Sequence, residues 1–406
     1  MRIINIPENS SYTIDEQNVQ KFREFIYANP SIPSKIIGNT IYFDDYTIGS
    51  ITVDDISIVI QPRIKHLSIN HYFEMQLFND GLLNNELLST LDENQEFGIK
   101  ENLTQLFLEE SFKLVSIGIE GSFIKVTEES NSIHGKILVE NISPINLLQD
   151  LIPIEYEVHT LNTSFNKIIK LALSKISLLL SGKKQNKLYA LVNAYFEDID
   201  ASNSELPLLL MDCKNKPSYE NEKYPVVLGL AIKILTELKL NMRNNNVSGS
   251  SYLVNSNNLF EAYTRKVLSD GLKLPVTKWN NPKEIGKFKI SNKDYTKSYI
   301  PDIMIDYHND SNSSLAILDA KNKDISNYQD IGSLADIYQI LFYCHSLNST
   351  FGGLVYPYFG SLETTRININ SFMETNIFIF NIDFSQPISI RNINFINQVK
   401  TKLKLN

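Results

Sequence analysis

The sequence predicts a mixed chain, α+β or α/β in class, with three parts. A β-rich amino-terminal domain with helices covers 1–155, a helical connector covers 156–245, and a domain with a mixed central sheet flanked by helices covers 246–406. Three observations predict this. The 406 residues exceed one ordinary domain. Short strand-length segments punctuated by Gly-Asn, Asp-Asp and Gly-Ser crowd residues 35–64. After residue 256, amphipathic helical stretches alternate with apolar, β-branched runs.

In chain order, MRIINI reads as a strand and IDEQNVQKFREFIYAN as a helix with Val19, Phe22, Phe25 and Ile26 on one side, ended by Asn29-Pro30. KIIGNTIYF, YTIGSITV and ISIVIQPRI follow as a β meander or small barrel, closed by Pro62. INHYFEMQLFNDGLL and residues 86–117 read as helices, and IPIEYEVHTL as a strand. A long amphipathic helix then starts at Asn162, Thr163 or Ser164 and closes at Gly182. MRNNNVSGSSYLVNSNN is polar and small, and reads as an exposed loop or linker. NNLFEAYTRKVLSDGL is a helix with Leu259, Phe260, Tyr263, Val267 and Leu268 on one face and Glu261 beside that stripe. SLADIYQILFYCHSL is another helix, FGGLVYPYF and TNIFIFNIDF are strands, and INFINQVKTKLKL is a terminal helix.

Composition excludes several classes. Cys213 and Cys344 stand far apart, which leaves no disulfide framework and fits a reducing, cytoplasmic compartment. The six histidines form no zinc-ligand spacing. MRIINIPENS lacks the apolar core of a signal peptide, and the longest apolar helix, from Ile168, carries two lysines and is too short to span a bilayer. No membrane partner is expected. No G-x-x-x-x-G-K-[ST] occurs, so the chain has no P-loop for a nucleotide. The net charge of −8 disfavours a free-standing DNA binder. The charge is uneven, however. Residues 262–298 hold nine Lys or Arg against three Asp or Glu, a cationic stretch of the kind a duplex would lie along.

The densest chemistry lies in YIPDIMIDYHNDSNSSLAILDAKNKD, two strand runs around a polar turn. Side chains alternate along a strand, so Asp319 and Lys321 point the same way. In an antiparallel hairpin, Asp302 at the start of the first run meets Asp319 at the end of the second. Two carboxylates offer hard oxygen ligands to Mg²⁺, and a lysine beside them can position a water or offset developing negative charge. Glu261 is a candidate third acid, and Gln339 and Tyr343 share a helix face at i and i+4. A surface hairpin with a wet Asp and Lys would carry the same letters.

The order E…PD…DAK…QxxxY resembles the PD-(D/E)xK nuclease superfamily. Over most of its length the chain resembles the McrC family, the nuclease subunits of McrBC-type restriction systems. LFEAY, PDIMI, LDAKNK and DIYQILFY carry the match in the nuclease half, with Asn322 where that family has Tyr. YTIGSITVDDISIVIQPRI, GIEGSFIKVTEESNSIHGKI, EYEVHTLNTSFNKIIKLAL and EKYPVVLGLAIKIL carry it earlier, with Phe123 or Ile124 for the usual Tyr and Asn162 for the usual Asp. The resemblance implies a Mg²⁺-dependent endonuclease of double-stranded DNA. Asp302, Asp319, Lys321, Glu261 and Gln339 would be catalytic, and Asp302, Asp319, Glu261 and the Ala320 backbone would hold the metal. It further implies a hexameric AAA+ GTPase ring as partner, which binds GTP itself and is stimulated by the amino-terminal domain. Arg63 and Lys65 are docking candidates by position, and pairing of nuclease domains is left open. Two other readings stand beside this one: an adaptor of the ring with a non-cleaving nuclease fold, and a nuclease acting alone.

Overall fold

The computed structural model describes residues 2–83, 99–180, 182–214, 219–243, 246–290, 293–325, 331–360, 364–367 and 375–405. The chain opens with β1 (Arg2–Pro7) and β2 (Ser11–Thr13), then α1 (Glu16–Ala28), which buries Phe22 and Phe25. β3 (Ser34–Ile37), β4 (Thr40–Phe43), β5 (Thr47–Val53) and β6 (Ile56–Gln61) follow. These strands divide between two sheets where a single meander or barrel was expected. β2, β4 and β3 form a small antiparallel sheet, while β6 runs antiparallel to β5 and parallel to β1. Phe22 and Phe25 pack with Ile41, Ile51, Ile58 and Ile60 in one apolar cluster. α2 (Ile69–Asn79) closes this segment behind a capping box in which Ser68 and His71 exchange hydrogen bonds.

α3 (Ile99–Ile117) comes next; residues 86–98 of the expected helix lie outside the described residues. β7 (Ser122–Ser130), β8 (Lys136–Ile137), the short α4 (Pro144–Leu148) and β9 (Ile152–Thr160) follow, the strands in the order β7-β9-β8. α5 (Ser164–Ile176) is capped by Thr163, whose side chain accepts from the Asn166 amide. It stops well before Gly182, which instead precedes α6 (Lys183–Ala194). α7 (Leu206–Lys214), α8 (Tyr224–Thr236) and β10 (Lys239–Arg243) complete this part. Its interior is tied by Asn166, fully buried, which donates to the Glu120 and Leu161 carbonyls and accepts from Tyr224 at 2.9 Å.

The polar stretch expected to be a linker is largely strand. β11 (Asn246–Asn255) pairs antiparallel with β5, Gly249 opposite Val53 and Asn255 opposite Thr47. Small side chains are what this position requires: a Cβ at Gly249 would overlap the Phe25 ring, and Ser250, Ser251 and Tyr252 are buried. Two compact units result, Met1–Ile99 with Gly249–Asn406, and Lys100–Ser248. Of the limits read from the sequence, 245 lies three residues from the break after Ser248, whereas 155 falls inside the second unit. β9 crosses 155 while pairing with β7, and β11 returns the chain to the amino-terminal sheet.

From β11 the chain enters α9 (Ser256–Gly271), capped by Asn255, then β12 (Val276–Thr277) and the hairpin β13 (Lys283–Ile290) and β14 (Lys293–Tyr299). β15 (Ile303–His308), β16 (Ser313–Ala320), α10 (Leu334–Ser346), β17 (Phe351–Tyr358), β18 (Thr365–Ile367), β19 (Asn376–Asp383) and α11 (Ile388–Leu403) follow. Six strands form one mixed sheet, ordered β12-β15-β16-β17-β19-β18. β16, β17 and β19 are parallel neighbours, and the β16-to-β17 crossover runs through α10. The two-residue period sorts the strand side chains between two cores. Ile303, Ile305, Leu318, Val355 and Phe380 pack with Phe260, Val267, Phe395 and Val399 of α9 and α11. Met304, Ile317, Leu354 and Tyr356 pack with Ile340, Tyr343 and Cys344 of α10.

Candidate active site

The site grows from the β15–β16 register. Ile303 lies opposite Leu318, so Asp302, just before β15, and Asp319, near the end of β16, meet at one end of the hairpin. The Ala320 amide donates to Asp302 Oδ2 at 3.1 Å, locking the two strand ends together. The two carboxyls come within hydrogen-bonding reach of each other. Ile317 belongs to the core beneath α10, and alternation puts Asp319 and Lys321 on that same side.

Lys321 Nζ stands 2.5 Å from Asp319 Oδ2 and donates to Gln339 Oε1 at 2.7 Å. Gln339 in turn donates to Tyr343 Oη at 2.8 Å, so the QxxxY face of α10 orients the lysine. Asp336, in the first turn of α10, lies 3.6 Å from Lys321 and binds Lys323 through both oxygens at 2.8 Å. On the other side, Glu261 of α9 accepts from Arg265 at 2.9 Å and from Lys278. Lys278 Nζ is 4.0 Å from Asp302 Oδ1, and Arg265 also donates to the Asp302 carbonyl at 3.3 Å. All five sequence candidates therefore gather around one end of the sheet: Asp302 and Asp319 touching, Lys321 and Gln339 on the α10 side, and Glu261 reaching Asp302 through Lys278.

Burial, then the charges of Asp319 and Glu261, push the Asp302 carboxyl up to about 8. Burial also raises Asp319, although Lys321 pulls it down. For Lys321, burial lowers the value but the attraction of Asp319 outweighs it and holds the ammonium charged. For Asp336, burial raises the value, yet hydrogen bonds from Lys323 and Ser333 outweigh it and hold the carboxyl below the usual range. The Asp302–Asp319 pair is thus a place where charging both carboxyls at once is penalised.

This donor set fits Mg²⁺ in chemistry, since it is all oxygen. Asp319 Oδ2 is buried against Lys321 Nζ at 2.5 Å, so a metal on this carboxylate would share it with the lysine. Among the described residues, no three His, Cys, Asp or Glu side chains come together as a ready metal cluster, because Lys278 stands between Glu261 and Asp302. A metal would rest chiefly on the aspartate pair, with the Ala320 backbone beside it.

Several contributors escaped the sequence reading. Arg265 follows Glu261 at i+4, a readable helix pair. Asp336 sits in an S-x-x-D capping pattern with Ser333. Lys278 had no local signal, because only the fold brings it to α9. Asn322 is buried and accepts from Tyr72 at 3.0 Å while donating to Ser256 at 3.1 Å, so it anchors the segment after Lys321. Arg63 is turned inward: its guanidinium donates to Asn257 and to the Asn322 carbonyl and stacks on Tyr46. Lys65 is exposed, with its amide bonded to Asp324. Among the described residues, no helix is long and apolar enough to cross a membrane.

Comparison with known proteins adds family and fold. No curated protein matches the sequence. A solved half-complex from the tetradecameric assembly of Thermococcus gammatolerans McrB AAA+ hexamers with bound McrC contains a chain of the same fold. It is 17% identical, with a TM-score of 0.67 over 98% of this chain and 100% of that one. The cryo-EM structure of the Thermococcus gammatolerans McrBC complex aligns at 17% identity over 66% of this chain and 88% of that one, with a TM-score of 0.49. The family model for the McrBC 5-methylcytosine restriction system component matches residues 44–357. That span takes in all of Lys100–Ser248, part of the other unit and every residue of the candidate site, and the chain belongs to this McrBC restriction-system family.

Proposed function

We propose that this chain is the nuclease subunit of an McrBC-type system, a Mg²⁺-dependent PD-(D/E)xK endonuclease of the cytoplasm. In this reading it cuts double-stranded DNA when assembled with a hexameric AAA+ GTPase ring, and it stimulates the ring's GTP hydrolysis. The observation that carries the reading is the convergence of Asp302, Asp319 and Lys321 at one hairpin end, with Gln339 on the lysine. Bound by Asp302, Asp319, the Ala320 carbonyl and Glu261, the metal would supply positive charge to polarise a phosphodiester and its attacking water.

The protein's own side chains do the rest. Lys321 is held charged and aimed by Asp319 and Gln339, where it can orient a water or stabilise the extra charge on phosphorus. Tyr343 keeps Gln339 in its rotamer. Arg265 and Lys278 hold Glu261 at the rim and offer cationic groups to the flanking phosphates. The ring would supply the motor and the GTP site that this sequence lacks. Lys65, at the surface, is the better placed of the two docking candidates, and Arg63 would act by steadying the segment after Lys321.

The test is plasmid cleavage with the partner ring, GTP and Mg²⁺. Asp319→Ala should lower cleavage by more than about 100-fold while ring binding and GTP hydrolysis persist. Undiminished cleavage by a folded variant overturns the reading. The adaptor alternative draws on the lack of a ready three-ligand cluster among the described residues. Stimulated GTP hydrolysis without any strand breaks by the wild type would establish it instead.

A further inference from the structure

The β13–β14 hairpin takes no part in the catalytic network, and its side chains are largely exposed on both faces. Two faces follow from the register. Phe288 lies opposite Tyr295, so Phe288, Lys293, Tyr295 and Lys297 share one face. Lys287 pairs with Thr296 and Lys289 with Asp294 on the other. The faces differ in charge. On the second, Lys287 meets Glu284 at 3.4 Å and Lys289 meets Asp294 at 3.8 Å. The first carries no acid between Gly286 and Tyr299. Its centre is the Phe288–Tyr295 ring stack, with centroids 5.5 Å apart and each residue about two-fifths exposed (41% and 43%). Lys297 and Lys293 flank that stack along the strand.

The ribbon is also joined to the site. Lys278, beside Asp302, is followed by Trp279, whose ring packs edge-on against Tyr299 at the root of β14. Lys283, the first residue of β13, lies over the same indole at 3.9 Å. A groove lined by Arg265, Lys266, Asp270, Lys278 and Trp279 borders this root, with Lys266 paired to Asp270 at 3.3 Å. Residues 262–298, which supply part of the groove and the ribbon, hold nine Lys or Arg against three Asp or Glu in a chain whose net charge is −8.

We infer that the face bearing Phe288, Lys293, Tyr295 and Lys297 is a docking surface for the backbone of a DNA duplex, holding it beside the site. The charge decides the occupant. Two lysines with no acid on their face suit a polyanion, and four residue steps of strand separate them by about 14 Å, so both can meet phosphates of one duplex. The stacked rings stiffen the ribbon between the two cations as a cross-strand aromatic pair. This inference rests on the nuclease reading for its ligand, and it has its own test.

Full-length protein is titrated with a short labelled duplex in EDTA, across a salt series, by fluorescence anisotropy. Lys293→Gln with Lys297→Gln should weaken binding about tenfold and lower the log–log salt slope by about 2. Lys287→Gln with Lys289→Gln, on the opposite face of the same ribbon, should change the slope by less than half as much. An unchanged melting temperature and unchanged ring association certify the fold of both variants. Duplex binding by the Lys293/Lys297 variant equal to wild type overturns the inference, as does a defect confined to ring association. If that variant loses binding as expected but the wild type never cuts with ring, GTP and Mg²⁺, the nuclease reading fails and the ribbon stands. If the wild type cuts and the variant binds normally, the ribbon fails and the nuclease stands.

Discussion

Replacing Asp302 with Asn should stabilise the metal-free protein at alkaline pH, against the usual expectation for a buried polar substitution. In the folded chain Asp302 titrates near 8, well above its value of 3.8 in an unfolded chain, because burial and the charges of Asp319 and Glu261 penalise ionisation. Between those two values the folded state holds a proton that the unfolded state has released. Stability attributable to this group therefore falls as pH rises from about 4 to about 8, and the full cost is present above that. Each unit of upward shift corresponds to about 1.4 kcal/mol. Asn at 302, neutral at every pH, should therefore stabilise the metal-free protein by about 1.5 to 3 kcal/mol at pH 9 and by nothing at pH 4. For a unit of this size that is a rise of roughly 3 to 9 °C in melting temperature. The assay is thermal unfolding by circular dichroism in EDTA across that pH range. Added Mg²⁺ supplies a second readout, since it should raise the melting point of the wild type more than that of Asp302→Asn. Equal melting curves at every pH, or an equal Mg²⁺ response, would refute both the charge frustration and the metal assignment.

Three further outcomes are expected. Arg391 is 2% exposed, pairs with Glu74 at 2.5 Å and bonds Tyr263 at 3.0 Å. Arg391→Met should therefore cost about 3 to 5 kcal/mol in urea unfolding by stranding Glu74, and a Glu74→Gln second change should recover part of it. Gly249→Val should cost about 1 to 3 kcal/mol by driving a methyl into the Phe25 ring, with loss of near-ultraviolet signal as the check. Gln339→Leu should reduce kcat for DNA cleavage about 10- to 100-fold through misplacement of Lys321, with KM for DNA unchanged; an altered KM alone would contradict the positioning role.

The carboxy-terminal part of the chain was legible because its chemistry is local. Asp302, Asp319 and Lys321 lie on two strands joined by a short turn, and pairing across that turn follows from chain order. Gln339 and Tyr343 share one helix face through the helical repeat itself. The polar stretch before α9 was misread for the opposite reason. Asn, Ser and Gly carry turn chemistry, and nothing nearby reveals that β5, nearly two hundred residues away, offers a ladder partner on which small side chains fit beside Phe25. The break after Ile99 was missed as well, since a chain that later returns to an earlier sheet leaves no mark in composition.

Periodicity and spacing along the chain were enough to specify the element types near the site, the face each candidate occupies and the oxygen-rich chemistry of the aspartate pair. Folding alone settled which charges meet those carboxyls: Lys278 on Glu261, Asp336 on Lys321, and the buried Asn322 beneath. The reason is range. Hydrogen-bond ladders and helix turns couple residues a few positions apart, whereas ion pairs and burial depend on distances in space that no local pattern encodes.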